Sequence, residues 1–255
     1  MKNKLIILFT LINLYVCNGQ KEIGNEMDNN LSSIKGIVNE IEQVGGKSYT
    51  AILSRDRPIE VLIDSANLKY PATFTIFKKG EEVAVLGNYT DTSSSANLKM
   101  TVREFKFIQT KEKFAKICNN PLSKDSVRIE NIVKFYNYKD TPYIRYTLQV
   151  TNLSNKFIPA LNPHNNSHLF NKKTDENVTE FYINGESRGM SIYNGVSYKN
   201  ETLNKGGVSK TSESHSLAEN SGVYLNGYTI TIQWKYMGVL SEKVTINLKK
   251  QVIIE

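Results

Sequence analysis

From Ile34 onward, apolar and polar positions alternate with the period of two that marks half-buried strands, and a 3.6-residue period shows only in the short run KEKFAKIC. IKGIVNEIEQV opens the series with Gly36 near its start, where a missing side chain permits tight coiling. SYTAILS and IEVLID follow, separated by the turn-like RDRP, and ATFTIF leads through KKG into EEVAVLGNY, where Gly87 is expected to end the strand. In SANLKMTVREF, Leu98, Met100 and Val102 share one face. Phe105 and Phe107 then fall on the opposite parity, which predicts either a bulge between Arg103 and Phe105 or two exposed rings.

The later chain repeats the alternation in longer runs. VRIENIVKFYN and YIRYTLQVTNLS flank the turn YKDTP, and Ile144, Tyr146, Leu148 and Val150 alternate with Arg145, Thr147 and Gln149. GYTITIQWKYMG predicts a core face of Tyr228, Ile230, Ile232, Trp234 and Tyr236, and VTINLKK continues it through Val244, Ile246 and Leu248. The expectation is an all-β chain: a small barrel over residues 34–112, a linker with a short helix over 113–123, and a β-sandwich over 124–255.

The first region, on Lys35-Gly36-Ile37-Val38 and Lys79-Gly80-Glu81-Glu82-Val83-Ala84-Val85-Leu86-Gly87, resembles the oligonucleotide/oligosaccharide-binding (OB) fold, in the form of bacterial domains similar to the tRNA-anticodon-binding group. The resemblance covers about a third of the chain and implies a Greek-key barrel. The second region, on YTLQVTNLSNKFI and the late ITIQWKYMG, resembles small immunoglobulin-like domains of bacterial envelope proteins. The cysteine pair of antibody domains is absent, and no activity follows from the architecture.

The amino terminus leads to the expectation that the chain is exported. Lys2 and Lys4 precede an apolar run from Leu5 to Val16, too short to span a bilayer and suited to the core of a secretory signal over residues 1–19. Cleavage after Gly19 is one outcome; lipid attachment at Cys17, in LYVC, is the other, and would make an outer-membrane lipoprotein. Residues 20–33 are polar and read as a tether. The expected location is periplasm, cell surface or medium. With Cys17 removed or acylated, Cys118 has no partner for a disulfide.

The net charge of +7 suggests an anionic partner until it is divided. Two lysines would leave with the expected signal, and basic and acidic residues nearly balance between 33 and 112. The surplus lies in scattered pairs and reads as a solvated surface.

Candidate chemistry is sparse. His164 and His168 have the i, i+4 spacing of a metal pair, but in HNNSH they lack a helical setting and a following carboxylate, so no metal or cofactor is expected. GESRG lacks the central serine of a nucleophile elbow, and adjacent Glu81 and Glu82 point to opposite faces of a strand. The reading is a non-enzymatic exported protein that binds a protein or glycan of the cell envelope. Tyr136, Tyr138, Tyr143, His164 and His168 are the candidate partner surface, because tyrosine offers amphipathic contact area at small entropic cost. The alternative is single-stranded nucleic acid or another polyanion on the barrel, through Arg55, Arg57, Lys99, Arg103 and Tyr89, with Tyr49, Phe74, Phe77, Phe105 and Phe107 as further rings. A second alternative is an enzyme with an unrecognised site in the loops that carry the histidines.

Overall fold

The computed structural model describes residues 31–54, 58–91, 98–161, 170–171, 176–177, 179–188, 200–218 and 227–254. The strands are β1 (Ser32–Gly45), β2 (Ser48–Ser54), β3 (Ile59–Asp64), β4 (Glu82–Asp91), β5 (Leu98–Ile108), β6 (Val127–Tyr138), β7 (Thr141–Asn152), β8 (Ile158–Pro159), β9 (Phe170–Asn171) and β10 (Glu176–Asn177). They continue with β11 (Thr179–Ile183), β12 (Glu186–Arg188), β13 (Glu201–Leu203), β14 (Val208–Ser216), β15 (Thr229–Tyr236), β16 (Val239–Leu240), β17 (Val244–Asn247) and β18 (Val252–Ile253). Helix α1 (Lys111–Cys118) is the short amphipathic run, and its start is capped by Thr110, whose side chain accepts from the Lys113 amide.

The first five strands close an OB-like barrel. β1 pairs with β2 and β4, β2 with β3, and β4 with β5, all antiparallel; a parallel β3–β5 pairing closes the ring. The bulge forms where the parity of β5 predicts it. Leu86 lies opposite Glu104 and Gly87 opposite Val102, so Arg103 is the extra residue, and Phe105 and Phe107 turn inward to be buried. Gly87 corrects an expectation, because β4 runs through it. A Cβ there would stand 2.1 Å from the Thr101 carbonyl oxygen, so glycine admits the bulged strand at close range.

ATFTIF departs from the pattern too. Pro71–Thr73 form a single 3-10 turn and the segment to Phe77 pairs with no strand; it carries Phe77 into the core and leaves Ile76 half exposed. Phe77 packs edge-to-face on Tyr49, Phe105 and Phe107, with ring centroids 5.7, 5.0 and 5.7 Å away. The Tyr49 hydroxyl donates to the Thr75 carbonyl at 2.7 Å and accepts from the Phe77 amide at 3.1 Å, which fixes this strandless segment to the barrel.

Two further sheets enclose a second apolar cluster. One has the order β14-β7-β6; the other contains β12-β11-β15-β17-β18 with β16 on β15. Ile144, Tyr146, Leu148 and Val150 of β7 face Ile230, Ile232, Trp234 and Tyr236 of β15 across this core. Tyr228 precedes β15 and is largely exposed, so the predicted face begins two residues later.

The two clusters share a sheet. β13 pairs with the end of β5, Glu201 opposite Ile108 and Thr202 opposite Phe107, and then with β8. Side chains reinforce the seam: the Thr202 hydroxyl donates to the Phe107 carbonyl at 3.1 Å, and Gln109 donates to that hydroxyl at 3.1 Å. Glu201 is 8% exposed and bridges Lys35 of β1 at 3.3 Å and Lys106 of β5 at 3.1 Å. Burial alone would raise its carboxyl pKa, yet the two ammonium groups outweigh burial and hold it below the usual carboxylate range.

Candidate functional site

β6 and β7 form a hairpin whose turn, Lys139-Asp140, has both residues at positive φ, 47° and 61°. Such a turn matches the twist of the strands. The inner face of β7 enters the second core, and alternation carries Tyr143, Arg145, Thr147 and Gln149 to the outside.

The hairpin register sets Tyr136 directly opposite Tyr143, and their rings stack with centroids 5.6 Å apart and planes 25° from parallel. Tyr138, near the turn, meets Tyr143 edge-on at 6.2 Å. The Arg145 guanidinium lies 4.8 Å from the centre of the Tyr136 ring, and its Nε donates to Ser214 Oγ of β14 at 3.2 Å. Lys139 stands 5.5 Å from the Tyr138 ring. Three of the residues expected on a partner surface therefore come together as an aromatic patch edged by cations. Tyr138 is exposed, and Tyr136 and Tyr143 are half-buried by one another. Arg145, which the sequence reading did not single out, is part of the patch; its two-residue offset from Tyr143 was the available signal. His164, His168 and Cys17 lie outside the described residues.

The barrel alternative fares differently. Arg55 and Arg57 lie outside the described residues. Lys99 is ion-paired with Glu60 at 3.0 Å, and Arg103 is exposed in the bulge. Tyr89 is 37% exposed, but Tyr49, Phe77, Phe105 and Phe107 are between 1 and 7% exposed. Those four rings are core, correcting their candidacy as stacking platforms: the edge-to-face packing that closes the barrel occupies their faces.

Two concave regions accompany these surfaces. An open groove of about 830 Å3 lies on the outer face of β11, β15 and β17, around Tyr182, Thr231, Gln233 and Lys235. There Glu180 binds both neighbours, accepting from the Tyr182 hydroxyl and pairing with Lys235 at 3.0 Å. A cleft of about 590 Å3 lies between α1 and the β7–β8 turn.

Comparison with known proteins gives no family. No family model matches the chain, and no curated protein matches it. Among solved structures, an asparaginyl-tRNA synthetase of Entamoeba histolytica matches at 10% identity with a TM-score of 0.27, over 58% of this chain and 53% of the synthetase. The same enzyme in complex with asparaginyl-adenylate matches at 10% identity and 0.26, over 59% and 54%. The match thus spans about half the length of these synthetase chains, and at such scores the likeness carries no conclusion about structure or activity.

Three tyrosines and one cysteine are shifted chiefly by burial. Burial raises the hydroxyl pKa of Tyr49, Tyr146 and Tyr236, the last donating its proton to the Pro159 carbonyl. Burial alone pushes the Cys118 thiol up to about 12, which suppresses the thiolate a nucleophile needs. No group of three or more His, Cys, Asp or Glu side chains is placed to hold a metal among the described residues.

Proposed function

We propose that this is a non-enzymatic exported binding protein, in which an OB-like barrel is joined to an immunoglobulin-like sandwich whose outer face receives a protein or glycan of the envelope. The observation that carries the reading is the stacked Tyr136–Tyr143 pair under Arg145, an aromatic and cationic patch on the solvent side of a rigid hairpin. Such rings already hold their rotamers, so a partner loses little entropy in docking on them. The leader-like residues 1–19 support export.

The test presents wild-type protein and a Tyr136→Ala/Tyr143→Ala variant to an array of envelope polysaccharides and to envelope extract. The reading expects a ligand retained by wild type and at least tenfold weaker on the variant, with unchanged circular dichroism. Equal retention by both overturns the assigned surface, and robust turnover of a hydrolase substrate, abolished by one substitution, overturns the non-enzymatic reading.

The OB-like barrel favours the polyanion alternative, and the burial of its aromatic rings weighs against it. Anisotropy with single-stranded DNA and heparin at two salt concentrations separates the readings, because binding to a polyanion must weaken steeply with salt.

A further inference from the structure

The cleft between α1 and the β7–β8 turn differs in chemistry from the tyrosine face. Ile117, Pro121, Leu122 and Phe157 supply an apolar lining, and its two lysines, Lys113 and Lys156, face no carboxylate among the lining residues. Leu122 packs against the second core and Phe157 against the barrel core, its ring 5.1 Å from that of Phe107, so the cleft sits where the two apolar clusters meet. Asn120, Ser126, Ser154 and Asn155 complete the lining with uncharged polar groups, and a cleft that sets apolar surface beside converging polar groups is a usual form of small-molecule site.

Both lysines stand on fixed supports. Lys113 is in the first turn of α1, where its amide bonds to the Thr110 hydroxyl at 3.3 Å, and its Nζ is 5.7 Å from the centre of the Phe157 ring. Lys156 follows a turn closed by Asn152, which is fully buried. The Asn152 side-chain oxygen accepts from the Ser154 amide at 2.9 Å, its Nδ2 donates to the Lys156 carbonyl at 2.7 Å, and the Lys156 amide donates to Ser154 Oγ at 3.2 Å. Neither lysine makes an ion pair within 4.0 Å among the described residues. Glu112 and Asp125, the acids on the flanking elements, are outside the lining.

We propose that this cleft binds a small amphipathic anion, a carboxylate or phosphate carried on an apolar body, with Lys113 and Lys156 on the charge and Ile117, Leu122 and Phe157 against the body. A cation is disfavoured by the two ammonium groups, and a bare anion leaves the apolar lining in water. The site is independent of the tyrosine face and of whatever binds there.

Titration calorimetry and thermal shift on the full chain, with octanoate, octyl phosphate, octylammonium and inorganic phosphate, test this. Octanoate or octyl phosphate is expected to bind and raise Tm, at least tenfold more tightly than octylammonium or inorganic phosphate, and the ratio between the two anions identifies the preferred head group. Lys113→Glu/Lys156→Glu, both at exposed positions, should weaken the favoured anion at least tenfold while leaving the unliganded Tm near wild type. Binding of neither anion, equal binding of octylammonium, equal binding of inorganic phosphate, or an unaffected double variant overturns the proposal. A Tyr136→Ala/Tyr143→Ala variant is expected to bind the favoured anion as wild type does; loss of binding there also overturns it.

Discussion

Glu201 of β13 reaches Lys106 of β5 at 3.1 Å across the seam between the two apolar clusters, and it does so from a position that is 8% exposed. A second lysine, Lys35, approaches the other carboxylate oxygen at 3.3 Å. The carboxyl pKa is thereby held below its ordinary 4.5, so the contribution is complete above that value and is lost as pH falls through the lower folded one. Glu201→Gln is expected to lower stability by about 2 kcal/mol at pH 7, since it strips the charge from a buried ionic hydrogen bond. Urea denaturation from pH 7 to pH 3 should show the gap between wild type and variant narrowing below pH 4.5. A gap that is constant with pH would contradict the assigned role.

Gly87→Ala places a methyl group where 2.1 Å is available to the Thr101 carbonyl oxygen. Backbone at the bulge must move, at an expected cost of about 3 kcal/mol. The sole tryptophan, Trp234, is fully buried in the other core and reports unfolding there by fluorescence. Because β13 and β8 continue the barrel sheet, the Trp234 midpoint in urea should fall in Gly87→Ala. An unchanged tryptophan transition would mean that the two cores unfold independently.

Arg145→Ala removes the cation above Tyr136 and the bond to Ser214. On an exposed sheet face the stability change is expected to stay within about 1 kcal/mol. Retention of the proposed envelope ligand should drop as is expected of the tyrosine variant, so an Arg145→Ala protein that retains ligand at wild-type affinity removes Arg145 from the proposed binding surface.

Cys118 carries a half-buried thiol pushed up to about 12. Iodoacetamide at pH 8 should leave it unmodified in the native protein and label it after denaturation, with the site located by peptide mass spectrometry. Rapid native labelling would show that the thiol is open to solvent.

Most of the architecture was legible because alternation and turn residues carry it. The parity change between Val102 and Phe105 left a bulge or two exposed rings open, and the bulge at Arg103 is the outcome, since two phenylalanines on the wet side of a barrel would cost too much. Ile144 to Val150 and Ile230 to Tyr236 showed their buried faces in the same way. Three things escaped. ATFTIF has strand composition, but Pro71 and the Tyr49 hydroxyl hold it as a turn and an unpaired segment. The β5–β13–β8 stitch depends on β13 and β8, strands of three and two residues, too short for any period to register. The junction cleft assembles lysines 43 positions apart, and separation of that kind leaves no local pattern.

The tyrosine patch was readable only as a set of tyrosines. Stacking of Tyr136 on Tyr143 follows from hairpin register, which the turn Lys139-Asp140 sets, and an odd-residue slip would have sent the two rings to opposite faces. Arg145 enters through the same register.

One edge of β5 is occupied twice along its length, by β3 near its start and by β13 near its end. A fragment that stopped after α1 would therefore keep a closed ring at one mouth and leave a bare hem at the other, with the Glu201 carboxylate gone from between two lysines. Exposed hems of this sort invite neighbouring molecules to zip on, so the barrel expressed by itself should self-associate more readily than the whole chain.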